Sequence, residues 1–299
     1  MSKERLPLIS VITPSYNQAR FLEATILSVL DQEYPNLEYI IIDGGSNDGS
    51  VDIIRNYERR LAFWVSEPDR GQSHALNKGI AHATGDILFW LNADDLCSPG
   101  ALAKVAEAFS QQPKPRIVIG QAYVTDDKGK LRGELKSRFT SWADYAIGKC
   151  TIRQIAAFFD RSLFDELGGL GESLKYCMDT DLLLRFTRLY NPLVIDEYLA
   201  TFQLHQANRF ETDLVSGYRE LDTVKLKYLT GSELENAYRD WSACHWFVLA
   251  ISPGVSNSER LSCLRTAWHM KPSALFSLHF WSMPLRFFLG RLVRRFHPL

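Results

Sequence analysis

Through the first 110 residues, short apolar runs alternate with stretches whose apolar positions recur every three or four residues. Leu8–Thr13, Leu37–Ile42, Leu61–Ser66 and Asp86–Asn92 read as strands, and Arg20–Asp31, Asp48–Tyr57, Gln72–Ala83 and Pro99–Ser110 as helices. Near-continuous apolar strands, each followed by a helix, predict a parallel sheet covered on both faces. Four such rounds make a doubly wound α/β unit, a Rossmann-like sheet with helices on both sides.

Past Pro115 the pattern loosens. Arg116–Gly120 and Gln121–Thr125, beside the polar turn Asp126-Asp127-Lys128-Gly129, suggest antiparallel strands. Ile155–Phe159 reads as a short strand, Ser162–Leu167 as a helix stopped by Gly168-Gly169, and Asp179–Tyr190 as a helix with Leu182, Leu183 and Phe186 on its apolar stripe. From about Gln206 the chain reads as mostly helical. The expected division is a catalytic domain over 1–208 and a helical extension over 209–299.

Composition is ordinary for a globular chain of 299 residues, 46% hydrophobic and 23% charged, and the net charge of −1 gives no reason to expect nucleic acid. The balance is uneven, however. Seven of the 34 Lys/Arg and none of the 35 Asp/Glu fall in Arg260–Leu299. There Leu285, Phe288, Leu289, Leu292, Val293 and Phe296 form one helical stripe, with Arg286, Arg291, Arg294 and Arg295 on the opposite arc. Such a helix either lies in an anionic membrane interface or docks its stripe on the catalytic domain. Phe280, Trp281 and Phe287 favour the membrane. The five scattered cysteines have no metal or redox spacing, and the opening Met-Ser-Lys-Glu-Arg has no signal-peptide pattern. No apolar run is long enough to span a bilayer. These features lead us to expect a cytoplasmic protein, peripheral on the inner face of the plasma membrane.

Candidate chemistry collects where the strands end, as ligands do in open α/β sheets. Asp94 and Asp95 follow the fourth strand, and paired carboxylates there suit Mg²⁺ or Mn²⁺ shared with substrate phosphates. Thr13-Pro14-Ser15-Tyr16-Asn17 closes the first strand, where the Tyr16 ring could stack on a base. Asp43-Gly44-Gly45-Ser46-Asn47-Asp48-Gly49-Ser50 closes the second, its acid placed to accept from a base or ribose. Glu67-Pro68-Asp69-Arg70-Gly71-Gln72 closes the third, with His74, Asn77 and Lys78 on the next helix near any bound anion.

These segments, with Gly71–Gly79, Asn92-Ala-Asp-Asp, Ile155-Ala-Ala-Phe-Phe-Asp-Arg, Leu167-Gly-Gly and Met178-Asp-Thr-Asp-Leu-Leu-Leu-Arg185, resemble the family 2 glycosyltransferases of GT-A fold. The resemblance implies that Thr13, Pro14 and Tyr16 flank a donor nucleotide and that Asp43 hydrogen-bonds its base, commonly uracil. It puts Asn77 and Lys78 near the ribose or phosphates. Asp94 then holds a divalent ion against the diphosphate, Asp95 assists, and His205 lies near the metal. Asp179 matches the general base. Two positions depart from the family pattern. Asn92 stands where the metal motif begins with Asp, and Met178 replaces the usual Glu, which leaves Asp181 as a second candidate base.

The expected activity is inverting transfer of a sugar from a nucleotide diphosphate, a UDP-sugar first, to a glycan or lipid-linked acceptor in cell-surface polysaccharide synthesis. Its rivals are a catalytically silent sugar-nucleotide binding protein and a sugar-1-phosphate nucleotidyltransferase.

Overall fold

The structure, a computed structural model, describes residues 6–205, 213–252 and 255–272. Strands β1 (Ile9–Ser15), β2 (Leu37–Asp43), β3 (Phe63–Ser66) and β4 (Ile87–Trp90) run parallel in the order β3-β2-β1-β4. Their apolar residues divide by parity between two faces. Ile9, Val11, Tyr39, Ile41, Ile87 and Phe89 pack with Leu22, Ile26 and Val29 of α1 (Ala19–Leu30), Ile54 of α2 (Ser50–Tyr57), and Leu102 and Val105 of α4 (Ala101–Phe109). On the other face Ile12, Ile40, Ile42, Leu88 and Trp90 pack with Ala75 and Leu76 of α3 (Gln72–His82), and with Leu170 and Met178. The expected α/β sheet with helices on both faces is present, and its elements lie within two or three residues of their predicted limits.

Beyond β4 the sheet turns mixed. It adds β5 (Leu96–Cys97), β6 (Ile117–Asp126), β7 (Leu131–Leu135), β8 (Ala157–Asp160) and β9 (Leu193–Leu204), in the order β4-β8-β6-β9-β5 with β7 beside β6. The segments read as two strands, 116–120 and 121–125, are one strand. Gly120 marks a register irregularity in it, not an end. A Cβ at Gly120 would stand 2.5 Å from Leu199 Cγ and 2.6 Å from the Glu197 carbonyl oxygen, so glycine is what lets β9 close against β6. β9 itself escaped the sequence reading because exposed Asp196 and Glu197 break its apolar alternation. Helix α6 (Ser162–Leu167) falls where predicted, and α7 (Met178–Leu189) begins and ends one residue early.

The chain divides into two compact units, Met1–Trp142 with Cys150–His205, and Ala143–Lys149 with Gln206–Leu299. The division therefore follows His205, and a short internal segment, 143–149, joins the second unit. That unit contains helices α8 (Leu214–Leu229), α9 (Leu234–Ala250) and α10 (Asn257–Met270), besides the end of α5 (Trp142–Ala146). Its interior holds a carboxylate. Asp222, 5% exposed, accepts hydrogen bonds from Tyr238 (2.7 Å), Ser242 (2.6 Å) and Trp246 (2.5 Å). The buried Lys225 donates to the Tyr145 carbonyl at 3.0 Å and lies over the rings of Tyr145, Tyr238 and Trp241. Among the described residues no helix is long and apolar enough to cross a membrane. The 280–299 stripe lies outside the described residues.

Helix α3 lies against β1 at Gly79, where a Cβ would come within 2.4 Å of Ile12 Cγ2. Alanine is normally about 1 kcal/mol better than glycine inside a helix, but overpacking a core costs about 1–3 kcal/mol. Gly79→Ala should therefore lower unfolding free energy in urea by about 1 kcal/mol net. Adding Ile12→Ala should remove that penalty in a double-mutant cycle. A more stable Gly79→Ala single variant would show that α3 is free to shift.

Candidate active site

Strand order places the topological switch between β1 and β4, and the carboxyl ends of these strands define the crevice. The loops after β1, β2 and β3 are sewn into one body. Ser46 Oγ accepts from Asn17 N at 2.8 Å, Asn17 Oδ1 accepts from Asn47 N at 3.0 Å, and Asp48 accepts from Ala19 N at 2.9 Å. Asn17 takes φ +52°, a conformation asparagine tolerates better than most residues. Gly44 makes room for Asp69, whose Oδ2 would stand 2.6 Å from a Cβ there, and Asp69 Oδ1 caps Gly71 N at 2.8 Å.

This network corrects several readings. Asp43, assigned to the base, is fully buried, and its carboxylate accepts from Gly45 N (3.1 Å), Ser46 N (2.9 Å), Ser46 Oγ (2.6 Å) and Ser66 Oγ (2.7 Å). Three of these donors meet Oδ2 and one meets Oδ1, so the fully buried Asp43 shapes the loop from inside. Thr13 is also fully buried, its hydroxyl 3.1 Å from Tyr39 OH, and Pro14 is buried beside it. Tyr16 alone of that segment's three candidates stands out, 54% exposed at the rim.

The turn after β4 is built around Asn92. Its Oδ1 accepts from Gln72 Nε2 and Trp90 Nε1, both at 2.7 Å, and its Nδ2 donates to Asp95 Oδ2 at 3.1 Å. A carboxylate at position 92 could not donate to Asp95, which accounts physically for asparagine there. Asp95, expected to help hold a metal, is 1% exposed and faces Asn92 and the Gln203 amide. Burial, then the neighbouring Asp94 charge, push its carboxyl well above the usual carboxylate range. Thr25 Oγ donates to the carbonyls of Ala93 (2.9 Å) and Asp95 (2.8 Å), and Gln203 Nε2 to that of Asp94 (2.9 Å). The backbone thus pinned turns the Asp94 side chain outward, its Oδ2 3.0 Å from His205 Nε2. His205 is stacked on Phe21 with ring centroids 4.3 Å apart.

Among the described residues no three His, Cys, Asp or Glu side chains converge as a closed metal site. Asp94 with His205 nevertheless fits the protein's share of a phosphate-bound ion. Mg²⁺ and similar ions commonly take one or two protein ligands and complete their shell from phosphates and water.

On the α3 side, Lys78 is ion-paired with Glu67. Asn77 is engaged in both directions with Leu170, Oδ1 accepting its N–H at 2.8 Å and Nδ2 donating to its carbonyl at 2.9 Å. A Cβ at Gly169 would meet Asn77 Oδ1 at 2.4 Å. Asn77 therefore anchors the Gly168–Leu170 strap, a correction to its reading as a ribose or phosphate contact. Arg185 holds the same strap through the carbonyls of Leu167 (2.6 Å) and Gly169 (2.7 Å), and pairs with the buried Asp181 at 3.0 Å. Met178, 5% exposed, plugs into the cluster containing Ile12, Ile42 and Trp90. An apolar residue replaces the expected Glu because this position faces the sheet. Asp179, next to it, is half-buried in the first turn of α7. Gln72, Gln203, Thr25 and Arg185 went unrecognised. Only alternation along Leu193–Leu204 could have singled out Gln203, and the polar residues Asp196 and Glu197 obscured it.

The profile of the family Glycosyl transferase family 2 matches residues 10–168. An uncharacterized glycosyltransferase of Mycobacterium tuberculosis is 34% identical over 223 residues, 73% of this chain and 80% of that one. A putative teichuronic acid biosynthesis glycosyltransferase of Bacillus subtilis is 32% identical over 52% of this chain and 63% of its own length. Among solved structures, S. aureus TarS 1–349 in complex with UDP-GlcNAc superposes with a TM-score of 0.66 at 16% identity, covering 88% of this chain and 81% of that one. A mannosyltransferase of Pyrobaculum calidifontis, in complex with GDP-Man and Mn²⁺, gives 0.59 at 20% identity, covering 97% and 81%. The likeness to these two structures establishes the GT-A fold, and the sequence matches establish the family. The chain belongs to glycosyl transferase family 2 and is a glycosyltransferase.

Proposed function

We propose that this enzyme transfers a sugar, with inversion, from a UDP-sugar to a hydroxyl of a glycan or lipid-linked acceptor in cell-surface polysaccharide synthesis. The observation that carries the reading is the Asp94–His205 pair at the switch point, 3.0 Å apart, with the Asp94 side chain 18% exposed and His205 buried. TarS complexed with UDP-GlcNAc and the mannosyltransferase complexed with GDP-Man and Mn²⁺ support a nucleotide-sugar donor, and the Bacillus subtilis relative supports a polysaccharide pathway.

Tyr16 stacks on the base at the crevice rim. Asp94 and His205 would hold a Mn²⁺ or Mg²⁺ ion beside the donor's diphosphate, and that ion would supply charge neutralisation for the leaving group. Asp179 takes the proton of the acceptor hydroxyl, and that oxygen bonds to the anomeric carbon. The bond from this carbon to the diphosphate oxygen breaks, and its electron pair leaves with UDP. A single displacement inverts the centre. Asp181, committed to Arg185, is the weaker candidate for the base.

Calorimetry should show UDP binding strengthened by Mn²⁺ and lost to EDTA, with Asp94→Ala weakening the Mn²⁺-dependent affinity at least about tenfold. Equal affinity with Mn²⁺ and with EDTA would remove the metal from this site.

Asp179→Asn keeps the size of the base and removes its proton affinity. Its kcat should fall on the order of 10²–10⁴-fold while UDP affinity stays within a few-fold. Asp181→Asn should instead lower the melting temperature by loosening Arg185. The reverse pattern of activity loss would transfer the role to Asp181. Any measurable sugar transfer by the wild-type protein also excludes a silent binding protein.

The basic, aromatic-flanked pattern of 280–299 supports attachment to an anionic leaflet, on the cytoplasmic side. Full-length protein should co-sediment with phosphatidylserine vesicles at low salt, and protein ending at residue 279 should not. Failure of the full-length chain to sediment would favour docking of the stripe on the protein.

A further inference from the structure

β6 and β9 carry a feature that the donor site does not use. The rings of Tyr123 and Tyr198 lie parallel, centroids 4.0 Å apart and planes 7° apart. Register places Tyr198 opposite Gln121 and Tyr123 opposite Thr201, so both tyrosines fall on one sheet face, the face of Thr125 and its partner Gln203. Gln203 is the residue that pins the Asp94 carbonyl. Tyr123 therefore stands two residues, about 7 Å along the strand, from the wall of the metal-binding turn.

The two tyrosines are held differently. Tyr198 is the fixed member. Lys136 donates to its hydroxyl and lies 4.4 Å from its ring centroid, while pairing with Glu134 at 3.4 Å and standing 3.9 Å from Asp196. Tyr123 is half-buried, packed on Tyr198 through one ring face, and its hydroxyl has no hydrogen bond among the described residues. An aromatic ring braced from behind, with a polar tip and charged neighbours, matches a pyranose, which has an apolar C–H face and a rim of hydroxyls. The β6–β7 turn beneath it is tied down as well, Asp127 pairing with Arg20 of α1 at 2.5 Å.

We propose that the Tyr123–Tyr198 stack is an acceptor subsite, where Tyr123 receives a sugar ring of the growing glycan while Lys136 and Glu134 meet its hydroxyls. The proposal rests on the glycosyltransferase reading for its acceptor but concerns a surface outside the donor crevice, so the two can fail separately. Saturation-transfer NMR with chitotriose, maltotriose and cellotriose, in the presence and absence of UDP and Mn²⁺, tests it on the full chain. Stacking on a C–H face tolerates sugar identity, so at least one trisaccharide should receive saturation from the wild type. Tyr123→Ala should weaken that binding about three- to tenfold, Tyr123→Phe should restore most of it, and UDP affinity should stay unchanged in both. Wild-type protein that binds UDP but none of the three sugars overturns the subsite and leaves the donor reading intact. Sugar binding indifferent to Tyr123→Ala overturns it also. If Tyr123→Phe fails to rescue a variant whose circular dichroism is native, the ring is not the recognition element. Sugar binding without UDP binding would instead count against the donor reading alone.

Discussion

Two carboxylates on adjacent residues at the end of a buried strand repel each other strongly, because little water lies between them. The protein resolves this by pointing them apart. Asp95 goes inward, where burial favours its neutral form and the Asn92 amide and the Gln203 backbone meet it, while Asp94 goes outward to His205. Much of the surrounding architecture serves that division. Thr25 from α1 and Gln203 from β9 fix the turn's carbonyls, and Gln72 at the start of α3 locks Asn92. Elements from both faces of the sheet thus converge on one turn, and the outward carboxylate emerges in a single orientation.

The rest of the crevice follows the same rule, with polar side chains spent on backbone before any are offered to a ligand. Asp43 holds its own loop, Asn77 holds the strap, and Arg185 binds two strap carbonyls as well as Asp181. Buried polar groups left unpaired are costly, so a loop-built site inside a well-packed sheet must satisfy itself first. In the proposed reading, what remains for the donor is sparse: the Tyr16 ring and the Asp94–His205 pair.

The parallel half of the fold was legible because each apolar run ends at a cluster of polar or small residues, and because the helices between them keep their stripes. Asp94 and Tyr16 stood out as candidate chemistry because each follows a readable strand, whereas His205 was nominated by the family resemblance alone. The packing of Thr13 and Asn77, and the long-range contacts of Asp43 and Asp95, were not legible, since these partners lie far off in sequence. Ser66 is 23 residues from Asp43, Tyr39 is 26 from Thr13, Leu170 is 93 from Asn77 and Gln203 is 108 from Asp95. β9 was missed because Asp196 and Glu197 mask its alternation. The same strand carries Gln203 and leads directly into His205, so losing it hid half the support of the Asn92–Asp95 turn.

The interlocked loops beneath the donor crevice bear on how such an enzyme can diversify. A network in which Asp43, Ser46, Asn17 and Asp48 each serve two or more partners permits few single steps, since one replacement strands several donors at once. The β6–β7 hairpin is different, for its exposed ion pairs such as Arg132–Asp126 and Lys136–Glu134 are surface contacts whose members can be exchanged singly. Descendants of this scaffold would then inherit the way they hold an activated sugar and improvise on what receives it.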